Sequence, residues 1–139
     1  MDAVDVRGQA PLLKVYDMGV SIRWYCEVLG FALVATGGPE SFLHWAMVRL
    51  NDVEIMLEPY YPEAVRPPAP DPVRVDCHGD TVIYFGCREL DAAYERVKAH
   101  GVLVEPPVIT GYGFRALYLK DPDGFALAFH WPLEGKSFL

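Results

Sequence analysis

Basic residues are scarce in this chain: 12 Lys and Arg stand against 19 Asp and Glu, for a formal net charge of −7. A field of that sign repels phosphate, which argues against nucleic acid and anionic membrane surfaces as partners. Only three cysteines occur, Cys26, Cys77 and Cys87. Their odd number and lack of metal-ligand spacing fit reduced thiols better than a disulfide framework. No apolar run approaches the roughly 18–20 residues needed to cross a bilayer. The opening MDAVDVRGQAP has no apolar signal core, so the expected location is cytoplasmic. A Ser/His/Asp nucleophile elbow, a phosphate-cradling glycine loop and a dinucleotide fingerprint are also missing.

What is present is a repeat. The stretch Leu12–Val34 reads LLKVYDMGVSIRWYCEVLGFALV and Ile83–Glu105 reads IYFGCRELDAAYERVKAHGVLVE. An ungapped offset of 71 aligns Gly30 with Gly101, and a later offset of 72 aligns Val53–Glu58 with Phe125–His130. Each copy reads as strand, helix, strand, strand, strand. With 139 residues, 52% of them apolar, the chain has the mass of one domain with a proper core. The predicted division is a single domain over 1–139, with module 1 at about 8–62, a proline-rich linker at 59–77 and module 2 at about 78–133.

In the first copy, Ala10–Tyr16 is predicted as a strand with Leu13 and Val15 on one face and Leu12, Lys14 and Tyr16 on the other. Asp17 caps a helix over Met18–Leu29, which Gly30 ends. Strands over Phe31–Thr36, Phe42–Leu50 and Val53–Pro59 follow, the last two joined by a turn at Asn51-Asp52. The second copy predicts strands at Thr81–Cys87, Val102–Glu105, Phe114–Lys120 and Phe125–Trp131, a helix over Leu90–His100 stopped by Gly101, and a turn at Asp121-Pro-Asp-Gly124. Between the copies, Pro59–Pro72 holds six of the twelve prolines and reads as an extended crossing segment.

The residues Tyr16-Asp-Met, Ser21-Ile, Val28-Leu-Gly-Phe31, Leu90-Asp-Ala-Ala-Tyr94, Tyr112-Gly-Phe-Arg115 and Asp121-Pro-Asp-Gly124 carry a resemblance. The chain resembles the glyoxalase/bleomycin resistance protein/dioxygenase family, the vicinal oxygen chelate superfamily, over residues 10–132. The resemblance implies an α+β fold of two tandem βαβββ modules, a curved mixed sheet around a cup, and a homodimer. Enzymes of the family hold a divalent metal in the cup with His, Glu or Gln from the first and fourth strands of each module. Such ligation uses oxygen or imidazole nitrogen at about 2.0–2.2 Å. Carried over, the four slots hold Ala10 (or Pro11), Met56, Val82 (or Thr81) and Ala128. None is a competent ligand, so the expectation is no metal and no cofactor.

Strand parity then assigns the cup. Val53, Ile55 and Leu57 are expected in the core and Glu54, Met56 and Glu58 in the cup; likewise Phe125, Leu127 and Phe129 in the core and Ala126, Ala128 and His130 in the cup. The candidate ligand-binding set is Lys14, Trp45, Met56, Glu58, Tyr84, Tyr112, Arg115 and His130, with Glu58 and His130 as the weak catalytic candidates. Trp45 and Tyr112 belong on or beside the third strands, whose parity the pattern leaves open. His78, in the predicted polar loop Asp76–Asp80, and His100, at a helix end, read as structural.

Two functions follow. One is a metal-free small-molecule binding protein, like the bleomycin-resistance branch of the family, which sequesters a ligand between aromatic surfaces. Trp45, Tyr60, Tyr61, Tyr84 and Tyr112 would supply those surfaces. The alternative is a lyase/isomerase or dioxygenase with a displaced divalent metal on Glu58 and His130, helped by His44, or metal-free acid–base catalysis by the Glu58–His130 pair.

Overall fold

A computed structural model of the chain describes residues 2–135. It separates into two compact units, the first formed by the residues up to Cys26 and Gly30–Arg66, the second by Glu27–Leu29 and the residues from Pro67 onward.

Unit 1 holds β1 (Leu12–Val15), α1 (Met18–Glu27), β2 (Ala32–Gly37), β3 (Trp45–Leu50) and β4 (Val53–Pro59). The strands form one mixed sheet in the order β1-β4-β3-β2, with β1 parallel to β4. Leu13, Val15, Ala46, Val48, Ile55 and Leu57 are buried along one face, as alternation requires. Asp17 accepts a hydrogen bond from the Val20 N–H and so supplies the predicted helix cap. Gly30 takes a φ of 88° at the stop. Val53, expected in the core, is 42% exposed because it enters the strand directly from the Asn51-Asp52 turn.

Unit 2 holds α2 (Pro72–His78), β5 (Val82–Gly86), α3 (Leu90–Ala99), β6 (Val108–Ile109), β7 (Phe114–Lys120) and β8 (Ala126–Pro132). Its mixed sheet has the order β5-β8-β7-β6, again with the first and last strands parallel. Helix α3 packs on β7 and β8 and buries Leu90 and Val97. Arg96 donates to the carbonyls of Val28 and Glu27, satisfying two acceptors that a helix end leaves open.

Three expectations need correction. The segment 72–78, expected as the end of an extended linker, is helical: Pro72 occupies the first turn, where its missing N–H costs nothing, and the Asp71 carboxylate accepts from the Val73 N–H. A short 3₁₀ turn at Glu63–Val65 also interrupts the proline-rich stretch. Val102–Glu105 is not a strand; Pro106 and Pro107, without N–H groups, delay pairing to Val108–Ile109. Finally, the repeat runs at an offset of 72 through the first strand, the helix and the fourth strand: Leu12 faces Met56 as Tyr84 faces Ala128, and α1 and α3 begin at Met18 and Leu90. The offset of 71 holds at the two glycines and again on the third strands, where Met47 faces Met56 as Tyr118 faces Ala128. Among the described residues, no helix is long and apolar enough to cross a membrane.

Candidate functional site

In unit 2 the alternation of β7 decides the geometry. Phe114, Ala116, Tyr118 and Lys120 share one face, because their register partners are Pro132, His130, Ala128 and Ala126. Arg115, Leu117 and Leu119 point to the other. Three rows then cross β5, β8 and β7: Val82–Ala126–Lys120, Tyr84–Ala128–Tyr118 and Gly86–His130–Ala116. In the middle row a methyl group stands between two phenols. Ala128 is fully buried although it belongs to the open face, because the two tyrosines cover it.

The hydroxyls of Tyr84, Tyr112 and Tyr118 form one hydrogen-bonded cluster. Tyr118 is 45% exposed overall. Loss of solvent around its hydroxyl, with hydrogen bonds to Tyr112 and Tyr84, still pushes its pKa up to about 12. The hydrogen bond to Tyr112 raises Tyr84 as well. His130 lies beside this cluster, its ring 4.8 Å from Tyr84 and 4.6 Å from Phe114. Burial lowers its pKa below the ordinary histidine value. At neutral pH this surface is therefore aromatic, rich in hydroxyl groups and uncharged, with Lys120 at its margin. Val82, Tyr84, Tyr118 and Ala126, together with Val102–Glu105, line a concavity of about 780 Å³. The irregular course of 102–105 leaves this space open.

In unit 1 the equivalent face is ionic at both ends. Lys14 Nζ donates to Glu58 Oε1 at 2.6 Å, and Arg49 donates to Glu54 Oε2 at 3.0 and 2.5 Å. Met56 lies between these pairs, in a row with Leu12 and Met47. Trp45 has the parity of Met47 and opposes Gly37, which places it on the same face.

The candidate residues thus separate. Lys14, Trp45, Met56 and Glu58 share the open face of unit 1; Tyr84 and His130 share that of unit 2, with Tyr112 joining at the mouth of β7. Arg115 is turned away: it donates to both Asp91 oxygens, at 3.2 and 2.7 Å, across to α3. The structural readings of His78 and His100 agree with their surroundings, although His78 ends α2 instead of sitting in a loop. Its Nδ1 lies 2.6 Å from the Asp123 carbonyl and its ring stacks on Phe125 at 4.0 Å, while His100 Nδ1 lies 2.9 Å from the Arg96 carbonyl. Tyr118 and Phe114 were missed, because apolar residues at nearly every position of Phe114–Lys120 leave the choice of face open in the sequence.

The model of the glyoxalase/bleomycin resistance protein/dioxygenase superfamily matches residues 10–129. The chain belongs to that superfamily. Over 116 residues it is 29% identical to the uncharacterized protein YaeR of Escherichia coli (strain K12), covering 80% of this chain and 84% of the relative. In fold it is similar to TnmS3, an antibiotic binding protein from Streptomyces sp. CB03234, with a TM-score of 0.70 at 23% identity over 94% and 99% of the two chains. A bleomycin resistance determinant encoded on the transposon Tn5 gives a TM-score of 0.70 at 20% identity over 93% and 99%.

The superfamily's metal positions do not fit a metal here. The register places Leu12 opposite Met56 and Tyr84 opposite Ala128, two residues beyond the predicted slots Ala10 and Val82. Aliphatic carbon, a soft thioether and one protonated phenol are no donor set for Zn, Ni, Mn or Fe. Among the described residues, no group of three His, Cys, Asp or Glu could hold an ion.

Proposed function

We propose that this superfamily member is a metal-free binding protein that sequesters a flat, largely uncharged small molecule on the open face of unit 2. The observation that carries the reading is the Tyr84–Ala128–Tyr118 row: where superfamily enzymes present a ligating side chain, this chain has a methyl group beneath two phenols. Aromatic walls supply contact area, and phenols held protonated supply hydrogen bonds without charge. Likeness in fold to an antibiotic binding protein and to a bleomycin resistance determinant supports the same reading. Glu58, already engaged by Lys14, is less suited to act as a base.

The working form in this proposal is a cytoplasmic homodimer. The outer strands β1, β2, β5 and β6 have one sheet neighbour each, and such edges are normally covered or paired. A standard interface would bury on the order of 1,600 Å² in total.

The test is a thermal-shift and dialysis screen of planar aromatic compounds, run with and without EDTA beside metal analysis of the purified protein. Saturable binding that survives EDTA and is lost in Tyr118→Ala is expected. Stoichiometric bound metal, or consumption of the bound compound, would overturn the proposal in favour of an enzyme.

A further inference from the structure

Unit 1 carries a concavity of its own, of about 640 Å³, which the proposed function does not use. Its wall is made by Phe42, His44, Tyr60, Tyr61, Glu58 and Glu63. The rings stand edge to face, Tyr60 against Tyr61 at 4.7 Å and 87°, and Phe42 against His44 at 5.9 Å and 67°. Ring faces therefore present in different directions around one space. An aromatic face carries negative potential and attracts a cation at close range. The lining contains two carboxylates, Glu58, which Lys14 already engages, and Glu63, and no lysine or arginine of its own.

The same cluster already holds one cation. The Arg66 guanidinium lies 5.1 Å from the Tyr16 ring centre, beside Asp17, and Tyr16 in turn meets Tyr61 edge to face at 6.5 Å. Arg66 thus shows, within the chain, the mode of recognition that the neighbouring rings offer. From this arrangement we propose a second binding site, in the concavity of unit 1, for a small organic cation: a quaternary or alkylated ammonium bearing apolar substituents. A hydrated metal ion would find no three-donor set there, and an anion would meet the Glu63 carboxylate. The apolar substituents would lie on Pro59, Pro62 and Ala64, and the positive charge against the tyrosine faces.

The site is independent of the proposed guest site in unit 2, and so is its test. Choline chloride is titrated into the intact protein by NMR, beside its neutral isostere 3,3-dimethylbutan-1-ol. Choline should bind about tenfold more tightly than the alcohol, the ratio expected when a desolvated cation–aromatic contact is worth about 1.4 kcal/mol. Tyr60→Leu should weaken choline binding by a similar factor, while Tyr60→Phe, which keeps the ring face, should retain it. Glu63→Gln should reduce both affinity and its salt dependence. Equal affinity for choline and the alcohol, or undiminished binding in a folded Tyr60→Leu protein, would overturn the proposal. Phosphatidylcholine vesicles supply the same ammonium next to a phosphate. Their failure to cosediment with the protein is expected, and cosedimentation abolished by Tyr60→Leu would transfer the site from a free cation to a lipid headgroup.

Discussion

The His130 imidazole stacks on the Phe114 ring at 4.6 Å and 26° from parallel, so a residue at a strand end is built into an aromatic surface. Burial there disfavours the charged imidazolium. With the folded pKa depressed below 6.5, the unfolded chain binds more protons than the folded one in that window. Stability should therefore fall as pH drops from about 6.5 toward the folded value, and level off below it. Melting curves of wild type and His130→Phe between pH 4 and 8 check this: the variant should show a flatter profile over that interval. An unchanged slope would remove the histidine from the account.

Ala128 provides a steric test. It is fully buried in the row between Tyr84 and Tyr118. Ala128→Leu should destabilise the fold by about 1–3 kcal/mol through overpacking. It should also part the two phenols and abolish binding of the unit 2 guest. Denaturant melts and a binding titration read the two effects separately.

Parity explains how much of this was readable beforehand. On β4 and β8 the alternation is strong, and it correctly separates Ile55 and Leu57 from Met56 and Glu58. On β7 the run Phe114-Arg-Ala-Leu-Tyr-Leu-Lys120 has apolar residues at nearly every position, so hydrophobicity alone cannot choose a face. Burial of Leu117 and Leu119, on the same side as Arg115, marks that choice in the folded state. The same limit hid the repeat's true offset. Gly30 and Gly101 are the most conspicuous markers, yet they align one residue out of step with the strands and helices that they follow. Helix α2 was obscured by composition, because prolines that forbid an interior helical position are harmless in a first turn.

Arg115 separates two readings directly. Held by Asp91 on the far side of β7, it has no part in the proposed guest site, so Arg115→Gln should leave guest affinity unchanged. It should, however, raise the Asp91 pKa, which the Arg115 hydrogen bonds hold below the usual carboxylate value. Carboxylate NMR titration of wild type and variant measures that rise. A large loss of affinity without unfolding would return Arg115 to the binding surface.

Gly124 and Gly101 form a matched pair for backbone strain. Both have positive φ, 85° and 79°, but a Cβ at Gly101 meets open space while one at Gly124 would collide with the Val75 carbonyl. Gly101→Ala should cost about 1–2 kcal/mol, the usual penalty of left-handed backbone for alanine. Gly124→Ala should cost clearly more, because α2 must also move. Equal losses in denaturant melts would mean that α2 yields without penalty.

That contact gives the crossing segment an unequal tolerance of change. Val75 closes over the Gly124 turn, and His78 bonds to the Asp123 carbonyl of the same turn. A stretch whose composition suggests adjustable spacing therefore has its slack on one side only, in residues 68–70, where no helix or strand forms. Extra residues inserted after Pro68 can loop into solvent, whereas the same insertion after Arg74 pulls the seal off the β7–β8 hairpin. Length variation in this crossing should accordingly gather before Asp71 and stop there.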